Sequence, residues 1–146
     1  METAKALSED ESRSYSSGQL AAAAGVNVQT LRYYEKRGIL PRPLQTGSGH
    51  RRYGSDAVQL VRFVKRAQAL GFSLAEIQEL LDLRSGPDPS CSQVQERVCR
   101  KLSEIEARMQ DLRSMQQTLK ELAHQCTGEE GMRDCVILRA FDRGNG

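Results

Sequence analysis

The sequence predicts a mainly α-helical protein: an N-terminal winged helix-turn-helix, a second helix pair behind it, and one long helix built for an antiparallel coiled coil. Three observations predict it. Two capping boxes, Ser16 with Gln19 and Ser73 with Glu76, each mark a helix start. Gly25 separates two short helical patterns, the spacing of a helix-turn-helix. Beyond residue 90, Val98, Leu102, Ile105, Met109, Leu112, Gln116, Leu119 and Ala123 recur at alternating steps of four and three, the seam of a coiled coil.

Length and composition set the frame. The chain has 146 residues, about one domain's worth at roughly 100–200 residues per domain. Apolar residues make up 38% and charged residues 27%, which excludes a disordered chain. No apolar run approaches the roughly 20 residues of a membrane span, so no membrane partner is expected. The stretch METAKALSEDESRSYS has no apolar centre, so no secretory leader is expected, and residues 1–14 read as a disordered extension. The expected compartment is the cytoplasm, where the four cysteines are thiols for metal or redox chemistry rather than a disulfide framework.

The elements follow in order over a DNA-binding domain at 15–84. A first helix begins after Ser16 and ends at Gly25, and Asn27 caps a second from Val28 to Arg37, which Gly38 ends. Val28 and Leu31 would pack inward, while Gln29, Thr30, Arg32, Tyr33, Tyr34 and Lys36 are candidates to face a DNA groove. Core packing is the alternative for one of the two adjacent tyrosines. Pro41 and Pro43 stop any continuation. Gly47-Ser48-Gly49-His50-Arg51-Arg52-Tyr53 reads as a two-stranded wing, with Arg51, Arg52 and Tyr53 aimed at phosphate. His50 is a phosphate or solvent contact rather than a metal ligand. A third helix, Asp56 to Leu70, carries apolar residues at 58, 61 and 64 and places Arg62, Lys65 and Arg66 on other faces, with Arg62 and Lys65 as candidate DNA contacts. A fourth starts at Ser73. Charge agrees with this layout. From Arg32 to Arg66 there are nine Lys or Arg against two acids, whereas Ser85 to Gly146 holds nine basic and ten acidic residues. A basic front on a neutral back points to a polyanion-binding module joined to something else; a merely solvated basic surface is the alternative.

Residues 85–90 form a linker of turn residues, followed by a dimerisation helix at 91–125 and a metal-binding loop with a C-terminal tail at 126–146. A seam that long on one helix needs a partner, and a homodimer is the simplest. Cys91 and Cys126 stand at the two ends of that helix and fall in the seam's own phase, since 91, 98, 105, 112, 119 and 126 step by seven. At about 1.5 Å per residue they lie roughly 52 Å apart along one helix. In an antiparallel pair, Cys91 of one subunit would lie beside Cys126 of the other, and Cys135 could fold back through the loop 127–134. Two equivalent three-thiolate sites per dimer would result. Thiolates select soft or borderline ions such as mercury, cadmium, lead, copper(I) and zinc, and three sulfurs suit a trigonal soft ion better than tetrahedral zinc. His124, Glu129, Glu130 and Asp134 could complete a harder site. Cys99 has no spaced partner and reads as a bystander.

These residues resemble the MerR family of bacterial metal-responsive transcription regulators, over roughly Ser16 to Phe141. The carrying stretches are Ala24-Gly25-Val26-Asn27-Val28-Gln29-Thr30-Leu31-Arg32-Tyr33-Tyr34-Glu35, the wing Arg51-Arg52-Tyr53, Arg62-Phe63-Val64-Lys65, Leu70-Gly71-Phe72-Ser73-Leu74, and the set Cys91, Cys126 and Cys135. The resemblance implies a homodimer on a pseudo-palindromic promoter operator in double-stranded DNA. The apo dimer would hold RNA polymerase in an unproductive complex, and metal binding would bend and untwist the DNA so that transcription starts. The nine-residue step from Cys126 to Cys135 is similar to that of mercury, lead and cadmium sensors, and the whole is most like the mercury(II) branch. Lead(II), cadmium(II) and zinc(II) are the alternative effectors. A rival of another class is a thiol redox switch in which Cys126 and Cys135 form a disulfide. An enzyme is not expected: there is no phosphate loop and no Ser/His/Asp arrangement.

Overall fold

The computed structural model describes residues 14–43, 52–87 and 91–144. Among them are six α-helices, here α1 (Ser17–Ala24), α2 (Val28–Lys36), α3 (Ser55–Ala69), α4 (Leu74–Ser85), α5 (Cys91–Gln125) and α6 (Val136–Asp142), with a one-turn 3-10 helix at Met132–Asp134. None of the helices is long and apolar enough to cross a membrane.

Local chemistry sets the boundaries. Ser16 accepts from the Gln19 N–H at 3.2 Å while the Ser16 N–H donates to Gln19 Oε1 at 2.9 Å, so the first capping box is complete. Ser73 and Glu76 repeat it at the head of α4. Asn27 caps α2 by accepting from the Thr30 N–H at 2.7 Å. Gly25 closes α1 at φ 72°, a left-handed conformation that disfavours any residue with a Cβ.

The chain divides into two compact units, Met1–Gln95 and Glu96–Gly146. The boundary between them lies within α5; residues 88–90 of the expected linker lie outside the described residues. The core of the N-terminal unit joins Leu20 of α1, Leu31 and Tyr34 of α2, Ile39 and Leu40, Val58, Val61 and Val64 of α3, and Ile77 and Leu81 of α4. Positions 58, 61, 64 and 67 repeat at helical spacing, so α3 turns one apolar stripe to the helix-turn-helix. Arg84 of α4 lies 5.1 Å from the Phe63 ring centroid, adding a cation–π contact between α3 and α4.

Two sequence expectations change here. The two-stranded wing falls mostly on 44–51, outside the described residues; what is described is a single antiparallel bridge between Tyr15 and Tyr53. The C-terminal segment is not only loop and tail. Val136-Ile137-Leu138 and Phe141 fold as the helix α6, with the 3-10 turn just before it. The extension read as 1–14 also lies outside the described residues, except for Ser14.

Candidate nucleic-acid interface and free thiols

On α2 the residues sort by face. Gln29, Arg32, Tyr33 and Lys36 are exposed, and their spacing of three, four and seven puts them on one stripe of the helix. Leu31, Tyr34 and Glu35 occupy the opposite, buried side. Thr30 is half-buried, and its hydroxyl donates to Asn27 Oδ1 at 2.9 Å, so it reinforces the cap. Tyr34 is removed from the groove-facing set: it is buried, and its hydroxyl donates to Gln68 Oε1 at 2.6 Å. Burial pushes its phenol pKa up from the ordinary value. Tyr53 turns inward too. It is buried, and its hydroxyl donates to Glu35 Oε1, which corrects the expectation of a phosphate contact. Arg52 beside it is exposed, and Arg51 lies outside the described residues.

Arg62 and Lys65 of α3 reach the turn between α1 and α2. Arg62 donates to the Ala23 carbonyl from Nη2 at 2.8 Å and from Nε at 3.3 Å, and Lys65 Nζ donates to the Gly25 carbonyl. Gln68, three residues on, holds Tyr34. One edge of α3 at 62, 65 and 68 therefore fastens α1, the turn and α2 in succession. The cations satisfy the carbonyls that the end of α1 leaves without helical partners, and they remain exposed beside the turn. With Arg66 they line an open cleft of about 650 Å³, together with Ala24, Gln59, Phe63 and Ala69. Arg66, which the sequence places off the apolar stripe as it does Arg62 and Lys65, joins them here although it is not among the expected DNA contacts.

Cys91 is exposed at the first position of α5. Cys126 is half-buried directly after α5, where its N–H donates to the Leu122 carbonyl at 3.1 Å. Cys135 is half-buried at the N-cap of α6, its carbonyl accepting from the Arg139 N–H at 3.1 Å. Two residues nearby also pair: Arg139 holds Asp134 at 3.2 Å on the exposed surface. All four cysteines are free thiols, Cys99 being exposed on α5. Among the described residues of one chain, no three His, Cys, Asp or Glu side chains gather in a way that could hold a metal.

A helix-turn-helix model described as "MerR HTH family regulatory protein" matches residues 15–83, and a second, "MerR, DNA binding", matches 58–122. The mercuric resistance operon regulatory protein of Serratia marcescens is 42% identical over 124 residues, covering 85% of each chain. The chain belongs to the MerR family. Its MerR-type fold is a DNA-binding transcription regulator's and not an enzyme's. The HTH-type transcriptional regulator ZntR of Escherichia coli K12 is 38% identical over 132 residues, covering 89% of this chain and 94% of its own. A transcription regulator from Ralstonia metallidurans, solved in complex with lead(II), superposes with a TM-score of 0.78 at 31% identity, over 87% of this chain and 98% of that one.

Proposed function

We propose that this MerR-family, metal-responsive transcription regulator is a mercury(II) switch. As a homodimer in the cytoplasm it binds the operator of a promoter, represses without metal, and activates by distorting the DNA when mercury(II) binds. The observation that carries the reading is the layout of α5. A 35-residue helix has a free thiol at its first residue and another immediately after its last. Between them runs an uncovered apolar stripe of Val98, Leu102, Ile105, Met109, Leu112, Met115 and Leu119.

Pairing two such helices antiparallel covers the stripe and brings Cys91 of one protomer to the Cys126–Cys135 end of the other. Soft thiolates then offer a three-coordinate site to a soft ion. Because each site draws on both protomers, metal binding favours one relative placement of the two chains over another, which is the differential affinity an allosteric switch requires. The exposed face Gln29, Arg32, Tyr33 and Lys36 enters the major groove, while Arg52, Arg66 and the cations at 62 and 65 meet phosphate; Arg51 belongs to the same basic segment. Phosphate contacts position the dimer and the α2 face supplies sequence preference. RNA polymerase is the partner that reads the changed DNA shape.

Mercury is favoured by the several mercuric resistance operon regulators at 34–42% identity. Lead(II) is the second reading, supported by the lead(II) complex of the Ralstonia relative. In a reconstituted transcription assay with graded metal, each of Cys91→Ser, Cys126→Ser and Cys135→Ser is expected to abolish induction while leaving operator binding within about threefold, since the thiols lie outside the DNA-binding face. Full induction by any one variant removes that cysteine from the site. Induction by diamide without metal would replace the metal switch with a redox one.

A further inference from the structure

Tyr53 and Glu35 are only 5% and 9% exposed, and the Tyr53 hydroxyl donates to the Glu35 carboxylate across 18 residues of sequence. A buried carboxyl is costly unless hydrogen-bonded, so this contact is not merely a filler of space. An apolar contact at Tyr53 would supply burial without fixing direction; a hydrogen bond to one oxygen fixes both position and rotation. The same residue is held by its backbone, with Tyr53 N–H to the Tyr15 carbonyl and Tyr15 N–H to the Tyr53 carbonyl, each at 2.8 Å. Successive side chains on extended backbone point to opposite faces, and Tyr53 is buried where Arg52 is exposed. Glu35 lies on the buried side of α2, one turn on from the exposed Arg32, so the helix that presents the proposed groove-facing residues also carries the acceptor that anchors Arg52's neighbour.

We propose that Glu35 is a positioning residue for DNA binding. By accepting the Tyr53 hydroxyl it fixes Arg52 relative to the α2 face, so that a phosphate contact and the base-reading residues engage DNA as one rigid unit. This rests on Arg52 contacting phosphate, as proposed above, and it assigns Glu35 a role outside both the groove-facing stripe and the thiol site.

The test uses the full chain, reduced and metal-free, and a duplex that the wild-type protein selects from a random-sequence pool. Affinity is measured by fluorescence anisotropy at several salt concentrations, with the thermal midpoint of each variant recorded alongside. Arg52→Ala is expected to weaken binding about tenfold and to make the log–log salt slope shallower by about 0.9 for each protomer's lost phosphate contact. Tyr53→Phe, which keeps the ring and removes only the hydroxyl, is expected to weaken binding at least threefold and to move the slope the same way. The double variant should bind within twofold of Arg52→Ala alone, because a misplaced Arg52 has already lost its contact. Glu35→Gln, which keeps an acceptor oxygen, should stay closer to wild type than Glu35→Ala. If Tyr53→Phe leaves the salt slope unchanged, or its loss multiplies fully with that of Arg52→Ala, the pair only stabilises the fold and the proposal is overturned. If Arg52→Ala itself leaves the slope unchanged, the phosphate role of Arg52 fails first, and the positioning role of Glu35 falls with it.

Discussion

Tyr33 and Tyr34 are the same side chain one residue apart, yet the helix separates them by about 100° and gives them different work. Tyr33 is 49% exposed on the stripe with Arg32 and Lys36, while Tyr34 is buried against α3. Its hydroxyl ends on Gln68, and burial raises its pKa above the ordinary phenol value of about 10. A phenol whose folded pKa is raised favours the fold while it stays neutral. That contribution is fully present below pH 10 or so and is lost as pH rises through the folded value. Tyr34→Phe should therefore cost about 1 kcal/mol at neutral pH through the lost hydrogen bond. It should also narrow the gap to wild type as denaturant titrations move above pH 10. A gap that is constant with pH would show that the Tyr34 hydroxyl is not protected in the fold.

At the scale of the element, α5 carries the argument. Seven large apolar side chains between Val98 and Leu119 are 38–62% exposed. Burying such a side chain is worth roughly 1.5–3 kcal/mol at most, so half that gain over seven per protomer comes to about 10–20 kcal/mol per dimer, enough to offset an association cost of about 4–15 kcal/mol over most of that range. Ile105→Lys with Leu112→Lys places charge in the middle of the stripe. Sedimentation should show wild type as a dimer and this variant as a monomer, with the N-terminal unit still folded by circular dichroism. A dimer that survives both lysines would put the interface elsewhere. This helix was legible in the sequence because its period runs unbroken; Met115 was not, since it widens the stripe beyond the strict four-and-three steps. The capping residues Ser16, Asn27 and Ser73 were legible for a different reason: their signal is local, a side chain reaching its own helix end. Helix α6 was hidden because seven residues give too few turns for a period to emerge. The inward turn of Tyr53 was hidden because its partner, Glu35, is brought close only by the tertiary fold.

At the scale of the whole molecule, the two kinds of site differ in how much of them one chain contains. The exposed stripe on α2, proposed to face the groove, and its fastenings at Arg62, Lys65 and Gln68 are complete within the N-terminal unit. Helix periodicity made the stripe readable; the fastenings were not, because the Ala23 and Gly25 carbonyls and the Tyr34 hydroxyl are brought to α3 only by the tertiary fold. The three thiols are spread over Cys91, Cys126 and Cys135, and their assembly is proposed to need a second copy. On the proposed function that division suits a regulator: DNA recognition would be built into each chain, while the signal would act on the relation between two chains. Metal affinity and dimer geometry would then be linked, a change in either shifting the other by the same free energy.

The measurement that meets this claim most directly is a competition titration of the reduced protein with mercury(II), cadmium(II), lead(II) and zinc(II). It is run in excess small thiol, read by thiolate-to-metal ultraviolet absorption, with Cys91→Ser beside wild type. The account predicts that mercury(II) outcompetes the others at one ion per protomer and that Cys91→Ser loses the signal at both sites of the dimer. Retention of the mercury signal by Cys91→Ser, or binding of lead(II) or zinc(II) on equal terms, would contradict it.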